Sequence, residues 1–107
     1  MNLTQKKCVP CEAGGPPLNA ARVRELAVQI DPAWRVVSEK QFARDFTFAD
    51  FVATMAFVNK IAALAEQEGH HPNLHIFFNK LTVELWTHAV GGLSENDFIL
   101  ASKIDTL

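Results

Sequence analysis

From Asp50 to Gln67 the chain runs without glycine or proline, and Phe51, Met55, Val58, Ile61, Ala62 and Ala65 recur along one stripe. That pattern predicts a long amphipathic helix laid against a core, with Thr47 and Asp50 as a capping pair at its start. Gly69 suits the left-handed stop of such a helix, and Pro72 suits a chain leaving it. The rest of the fold must be arranged around this element. On either side lie two short segments with period-two character: Trp34 to Val37 and Lys40 to Phe48 before it, Leu74 to Phe78 and Leu81 to Thr87 after it. Phe42, Phe46 and Phe48 share one face of the second segment, and Leu81, Val83 and Leu85 share one face of the fourth.

Two further helices frame these strands. Asn19 is a good N-cap for a helix carrying Val23, Leu26, Ala27 and Ile30, which Asp31-Pro32 stops. After the Gly91-Gly92 loop, Ser94 to Ile104 turns Phe98, Ala101 and Ile104 inward, with Ser94 and Asp97 at capping-box spacing. The order is helix, two strands, helix, two strands, helix. It predicts an α+β fold of two layers, a four-stranded antiparallel sheet with three helices packed on one face. Phe77, Trp86 and Trp34 supply apolar area that a second copy of the chain would cover, so a homo-oligomer is expected.

A chain of 107 residues is expected to form one domain. Residues 1–17 read as a flexible arm, because Pro10, Gly14, Gly15, Pro16 and Pro17 interrupt every period, and the single domain is placed at 18–107. A net charge of -2 gives no attraction to phosphate backbones or anionic lipid, which argues against direct nucleic-acid or membrane binding. No apolar run is long enough to span a bilayer, and the first residues lack the apolar centre of a secretory signal, so a cytoplasmic location is expected. Cys8 and Cys11 would close only a tiny disulfide loop and do not make a disulfide scaffold. Their proline-rich setting also lacks the strand-to-helix context of a redox motif.

All four histidines fall between positions 70 and 88, and imidazole exchanges protons near neutral pH. Taking Asn79-Lys80 as a two-residue turn places Phe78 opposite Leu81, and counting outward sets His71 opposite His88. Glu66, four positions before His70, is placed to orient an imidazole. His75 reads as a surface strand residue, and Asp97 serves equally well as the helix-capping partner of Ser94. Trp34 and Trp86 read as core or interface residues. Adjacent His70 and His71 cannot both point one way in a regular element, and Cys8 with Cys11 is only half of a zinc site, so no metal is assigned.

Glu66, then His70-His71-Pro72, Phe78, His88 and Asp97 at their respective spacings resemble the signature of pterin-4a-carbinolamine dehydratases, also called dimerization cofactors of a homeodomain factor. Further agreement lies in Trp34, Phe46 to Phe51, Asn79-Lys80, Thr87-His88, Gly92-Leu93-Ser94 and Leu100-Ala101, covering about residues 18 to 105. Leu74 departs from a frequent Trp, Phe78 from a common Tyr, and Asn96 from a basic residue whose loss would weaken substrate contacts.

The resemblance implies a hydro-lyase that dehydrates a 4a-hydroxytetrahydropterin to quinonoid dihydropterin. The tetrahydropterin cofactor of an aromatic amino-acid hydroxylase would thereby be recycled. It implies His70 and His88 as acid/base residues, His71 as a positioning group that shares in proton transfer, and Glu66, Pro72, Thr87 and Asp97 as pocket residues. No metal or organic cofactor is required. It also implies a homodimer or homotetramer and allows a hydroxylase or regulatory protein as partner. The rival expectation is a non-catalytic module that binds a protein or pterin without turnover.

Overall fold

The computed structural model describes residues 3–8, 17–37 and 40–107. Helix α1 spans Ala20–Ala27, strands β1 and β2 span Arg35–Val37 and Gln41–Thr47, and helix α2 spans Phe51–Glu68. Strands β3 and β4 span Asn73–Phe77 and Lys80–Leu85, and helix α3 spans Glu95–Ile104. The four strands form one antiparallel sheet in the order β1-β2-β4-β3. Phe42, Leu81, Val83 and Leu85 project from one sheet face into a cluster with Val23 and Leu26 of α1, Val58 and Ile61 of α2, and Phe98, Leu100 and Ile104 of α3. The opposite face carries Arg35, Asp45, Thr82, Glu84 and His75, joined by hydrogen bonds across strands. This is the α+β two-layer arrangement expected from the strand and helix periods.

Local chemistry explains where each helix starts and stops. The Asn19 side chain accepts from the Arg22 amide, and the Asp50 side chain accepts from the Ala53 amide. Asp50 itself caps α2, so the proposed partnership with Thr47 is not used. Gly69 closes α2 in the left-handed conformation with φ of 69°. The buried stripe of α2 is Thr54, Val58, Ile61, Ala65 and Glu68, whereas Phe51 is 48% exposed and Ala62 also faces outward.

Three expectations need correction. The β3–β4 turn is Phe78-Asn79, with Phe77 opposite Lys80 and Asn73 opposite Glu84, so the register differs by two residues from the one expected. A two-residue shift keeps every side chain on its face, so the hydrophobic alternation could not choose between the registers. The Asn79 carbonyl accepts from the Phe48 amide and its side chain donates back to the Phe48 carbonyl, clamping Asn79 within the turn. Phe78 takes up the bend with φ of 42°. The pairing also ends too early to reach the site: β3 starts at Asn73 and β4 stops at Leu85, so His71 and His88 are not strand partners.

Trp34, expected to leave apolar area uncovered, is buried edge-on against Phe42 at 5.3 Å between ring centroids, and its Nε1–H donates to Asp105. The third correction concerns the N-terminal segment. Leu3–Gln5 form a 3-10 turn, and Leu3 and Cys8 are buried in the core cluster, so residues 3–8 are packed where a free arm was expected. The breakers that suggested an arm stand at Pro10 and beyond. Residues 9–16, and with them Cys11 and its relation to Cys8, lie outside the described residues.

Burial pushes the Cys8 thiol up to about 12, helped by the neighbouring Glu68 carboxylate. Because this lies above the value of a free thiol, about 8.5, the stability Cys8 contributes is fully present below that pH. It is lost as the pH rises toward 12. In a Cys11→Ser chain, Cys8 is expected to resist alkylation at neutral pH until denaturant is added. Immediate alkylation of the native chain contradicts this packing.

Candidate active site

The ends of α2 and β4 and the start of α3 meet at Asp97. This carboxylate is fully buried and accepts from His70 Nε2 at 2.6 Å, Thr87 Oγ1 at 2.8 Å and the Ser94 amide at 2.9 Å. The last contact belongs to a capping box at the start of α3, so the capping reading of Asp97 holds, and the same carboxylate also accepts from His70 and Thr87. A carboxylate only accepts, so His70 is the donor through Nε2, which leaves Nδ1 as the nitrogen free to exchange a proton.

His70 follows the left-handed Gly69, and its side chain is 12% exposed. Thr87 is buried and bridges to Gly92 through backbone hydrogen bonds, which bend the chain into the short 3-10 turn His88–Val90. His88 heads that turn. It is exposed, with its ring 3.9 Å from the Trp86 ring at an interplanar angle of 49°. Thus His70 and Thr87 meet through a shared acceptor rather than through strand pairing, while the His88 ring packs on Trp86.

Glu66 pairs with His71, not with His70: His71 Nε2 lies 2.5 Å from Glu66 Oε2, and both side chains are mostly exposed. Pro72 is half-buried between His71 and the start of β3. His75 pairs with Glu84 on the exposed sheet face, as a surface strand residue. Asn96 is buried. A groove of about 250 Å³ lined by Leu18, Ala20, Val23, Arg24 and Val36 contains none of the expected site residues.

Sequence reasoning missed two features beside this node. One is the Trp86–His88 ring contact, signalled only by an aromatic two positions before a histidine. The other is Glu68, buried at the end of α2 and held by the Cys8 amide at 2.9 Å and by Lys103 Nζ at 2.8 Å. Burial raises the Glu68 carboxyl, but the bonds from Lys103 and from the Cys8 amide outweigh it and hold the group below its ordinary value. Among the described residues, no three His, Cys, Asp or Glu side chains form a group suited to a metal ion, and no helix is long and apolar enough to cross a membrane.

Residues 16–107 match the family model described as pterin 4 alpha carbinolamine dehydratase. A curated relative from Rickettsia canadensis, named "Putative pterin-4-alpha-carbinolamine dehydratase", is 47% identical over 97% of this chain and 95% of its own length. One of the same name from Nitrosomonas eutropha is 44% identical over 99% of this chain and 93% of its own. A crystal structure of a transcriptional coactivator/pterin dehydratase from Brucella melitensis superposes with a TM-score of 0.78 at 30% identity, covering 84% of this chain and 96% of that one. A pterin dehydratase-like protein described as a RuBisCO assembly factor in the alpha-carboxysome superposes at 0.59 with 25% identity, covering 69% and 87% respectively.

Proposed function

Because the chain belongs to the pterin 4 alpha carbinolamine dehydratase family, we propose that it is a hydro-lyase that converts a 4a-hydroxytetrahydropterin to the quinonoid dihydropterin. The observation that carries the reading is that His70 and Thr87, the residue before His88, both donate to buried Asp97. Dehydration breaks the C4a–O bond and forms a C=N bond to the adjacent ring nitrogen. The departing oxygen needs one proton, and the nitrogen gives one up, so no proton is consumed overall.

Two imidazoles of opposite protonation state suit that exchange. His70, anchored through Nε2–H, works through Nδ1, and His88, supported by the Trp86 ring, is the second member of the pair. His71 positions the substrate and shares in proton transfer, oriented by Glu66. Pro72, Thr87 and Asp97 shape and polarise the pocket. These steps use no metal or organic cofactor. The product would be returned to the tetrahydropterin pool of an aromatic amino-acid hydroxylase in the cytoplasm. The deciding assay is stopped-flow dehydration of a 4a-hydroxytetrahydropterin, where wild-type protein is expected to exceed the buffer rate, and a rate equal to buffer overturns the assignment.

A homodimer or homotetramer is part of this proposal. Phe77 and Phe78 are 61% and 68% exposed at one edge of the sheet, where a second copy would cover them. The same aromatic edge supports a second reading, a regulatory or interaction module that binds a protein partner or pterin without turnover. The two part at His88→Ala, which leaves a purely interacting module intact.

A further inference from the structure

The region matched by the family model begins at residue 16, yet the segment before it is tied to both elements that carry the His70–Asp97 pair. Leu3 is buried in the core cluster, and the Leu3–Gln5 turn packs on α3. Lys6 pairs with Glu95, and the Cys8 thiol donates to the Asn96 carbonyl at 3.5 Å, so the segment is bonded to the two residues before Asp97. The Cys8 amide donates to Glu68, two residues before His70. Lys103, in the last turn of α3, holds the other oxygen of the same carboxylate.

Between Glu68 and His70 the chain is held by backbone bonds to the Ala65 carbonyl, with no side chain at Gly69. Gly69 is left-handed and has nothing within 4 Å of the place a Cβ would occupy. The Gly69 amide reaches the Ala65 carbonyl at 2.8 Å and the His70 amide reaches the same oxygen at 3.3 Å, so the backbone hold weakens toward His70. The direction of the His70 ring therefore depends on how the last turn of α2 is held, and Glu68 is its fixed point.

We propose that residues 3–8 form a positioning strap for His70, which sets its distance to Asp97 by bonding Glu68 at the end of α2 and the Glu95-Asn96 start of α3 together. Cys8 and Glu68 touch no reacting atom in this scheme. If the strap lets go, Glu68 and Lys103 keep each other and gain water, so the fold persists while the His70 ring loses its fixed orientation. Displacements of about 1 Å at a reacting group cost on the order of 100-fold in rate, so a small release is enough to register. The inference rests on the dehydratase reading for its kinetic consequence, but not for its geometry.

Two full-length variants test it, Cys8→Pro, which removes the amide donor, and Glu68→Ala, which removes its acceptor. Each is expected to lower kcat by about 10- to 100-fold with KM within about two-fold of wild type. Each is also expected to speed solvent exchange of the His70 Nε2 proton seen by NMR. The double variant should lose no more than the larger single loss. Glu68→Gln, which keeps an oxygen for the Cys8 amide, should recover most of the rate lost in Glu68→Ala. Folded variants with wild-type kcat and wild-type His70 exchange overturn the strap, and so do losses that simply add. Should Glu68→Ala fail to fold, Cys8→Pro decides by the same readouts. If wild-type protein shows no turnover, the dehydratase reading falls, and the exchange of the His70 proton alone decides the strap.

Discussion

Replacing His70 or His88 with alanine is expected to lower kcat for pterin carbinolamine dehydration by about 10²- to 10⁴-fold, the range a positioned acid or base contributes. The two variants should differ in stability. His88 is exposed and rests on one face of Trp86, so His88→Ala should unfold within about 0.5 kcal/mol of wild type. His70→Ala takes one of the donors away from a carboxylate with no access to water, leaving Thr87 and Ser94 to satisfy it, and should cost about 1–3 kcal/mol. Asp97→Asn keeps the shape but puts an amide N–H where an oxygen now accepts, so it should lose activity and stability together. Urea titrations beside the kinetic assay separate these cases. Equal loss of stability in His70→Ala and His88→Ala would sink the asymmetric picture, and near-wild-type rates in both would remove histidines from the chemistry.

The fold was legible because the helix and strand periods speak directly to which face is buried. The cap at Asn19, the Ser94–Asp97 box and the Gly69 stop are local devices, and each is used where its spacing placed it. Register was not legible to that depth. Ile76 opposite Leu81 and Phe78 opposite Leu81 both put apolar side chains on the same face, and only the long-range bonds between Phe48 and Asn79 decide between them. Trp34 was misplaced for a similar reason. Its indole N–H finds a partly buried acceptor on Asp105, more than 70 residues away, and no local pattern announces such a partner.

The site shows the same division. His70, Thr87 and Asp97 meet, and the contact is a three-way junction of element ends rather than the strand pair that the expected register implied. Glu66 is one residue out of step with the imidazole it was expected to serve. His70 turns inward after the left-handed glycine while His71 stays outside with the carboxylate. Cys8 was weighed only as half of a pair with Cys11 in a proline-rich arm, and Glu68 was passed over because a glutamate at a helix end ordinarily faces solvent. Only the packing of Leu3 against α3 brings them together.

The largest loss of stability among polar substitutions is expected at Asp105, the C-cap of α3, which lies outside the proposed chemistry. Its carboxylate accepts from Trp34 Nε1 at 2.7 Å, Arg44 Nη1 at 2.7 Å and the Asp31 amide at 2.9 Å. It thereby binds the end of α3 to β2 and to the turn that leads into β1. Asp105→Ala strands an indole donor in the core and leaves Arg44, whose side chain is only 19% exposed, with Asp31 at 3.5 Å as its remaining ion-pair partner among the described residues. Arg44 already has an Nε with no hydrogen-bond partner among the described residues and packs its guanidinium over the Phe46 ring, so it has little freedom to find another. Breaking a largely buried pair from one side typically costs about 3–5 kcal/mol, because the surviving charge stays desolvated. For a domain of this size that corresponds to a fall in Tm on the order of 15 °C. Truncating both members, as in Arg44→Met with Asp105→Ala, should recover part of the loss, since no buried charge is then left alone. Thermal and urea unfolding of the three chains measure this directly. An Asp105→Ala midpoint within a degree or two of wild type would mean that the junction is wet and the charge cluster contributes nothing to holding α3 against the sheet.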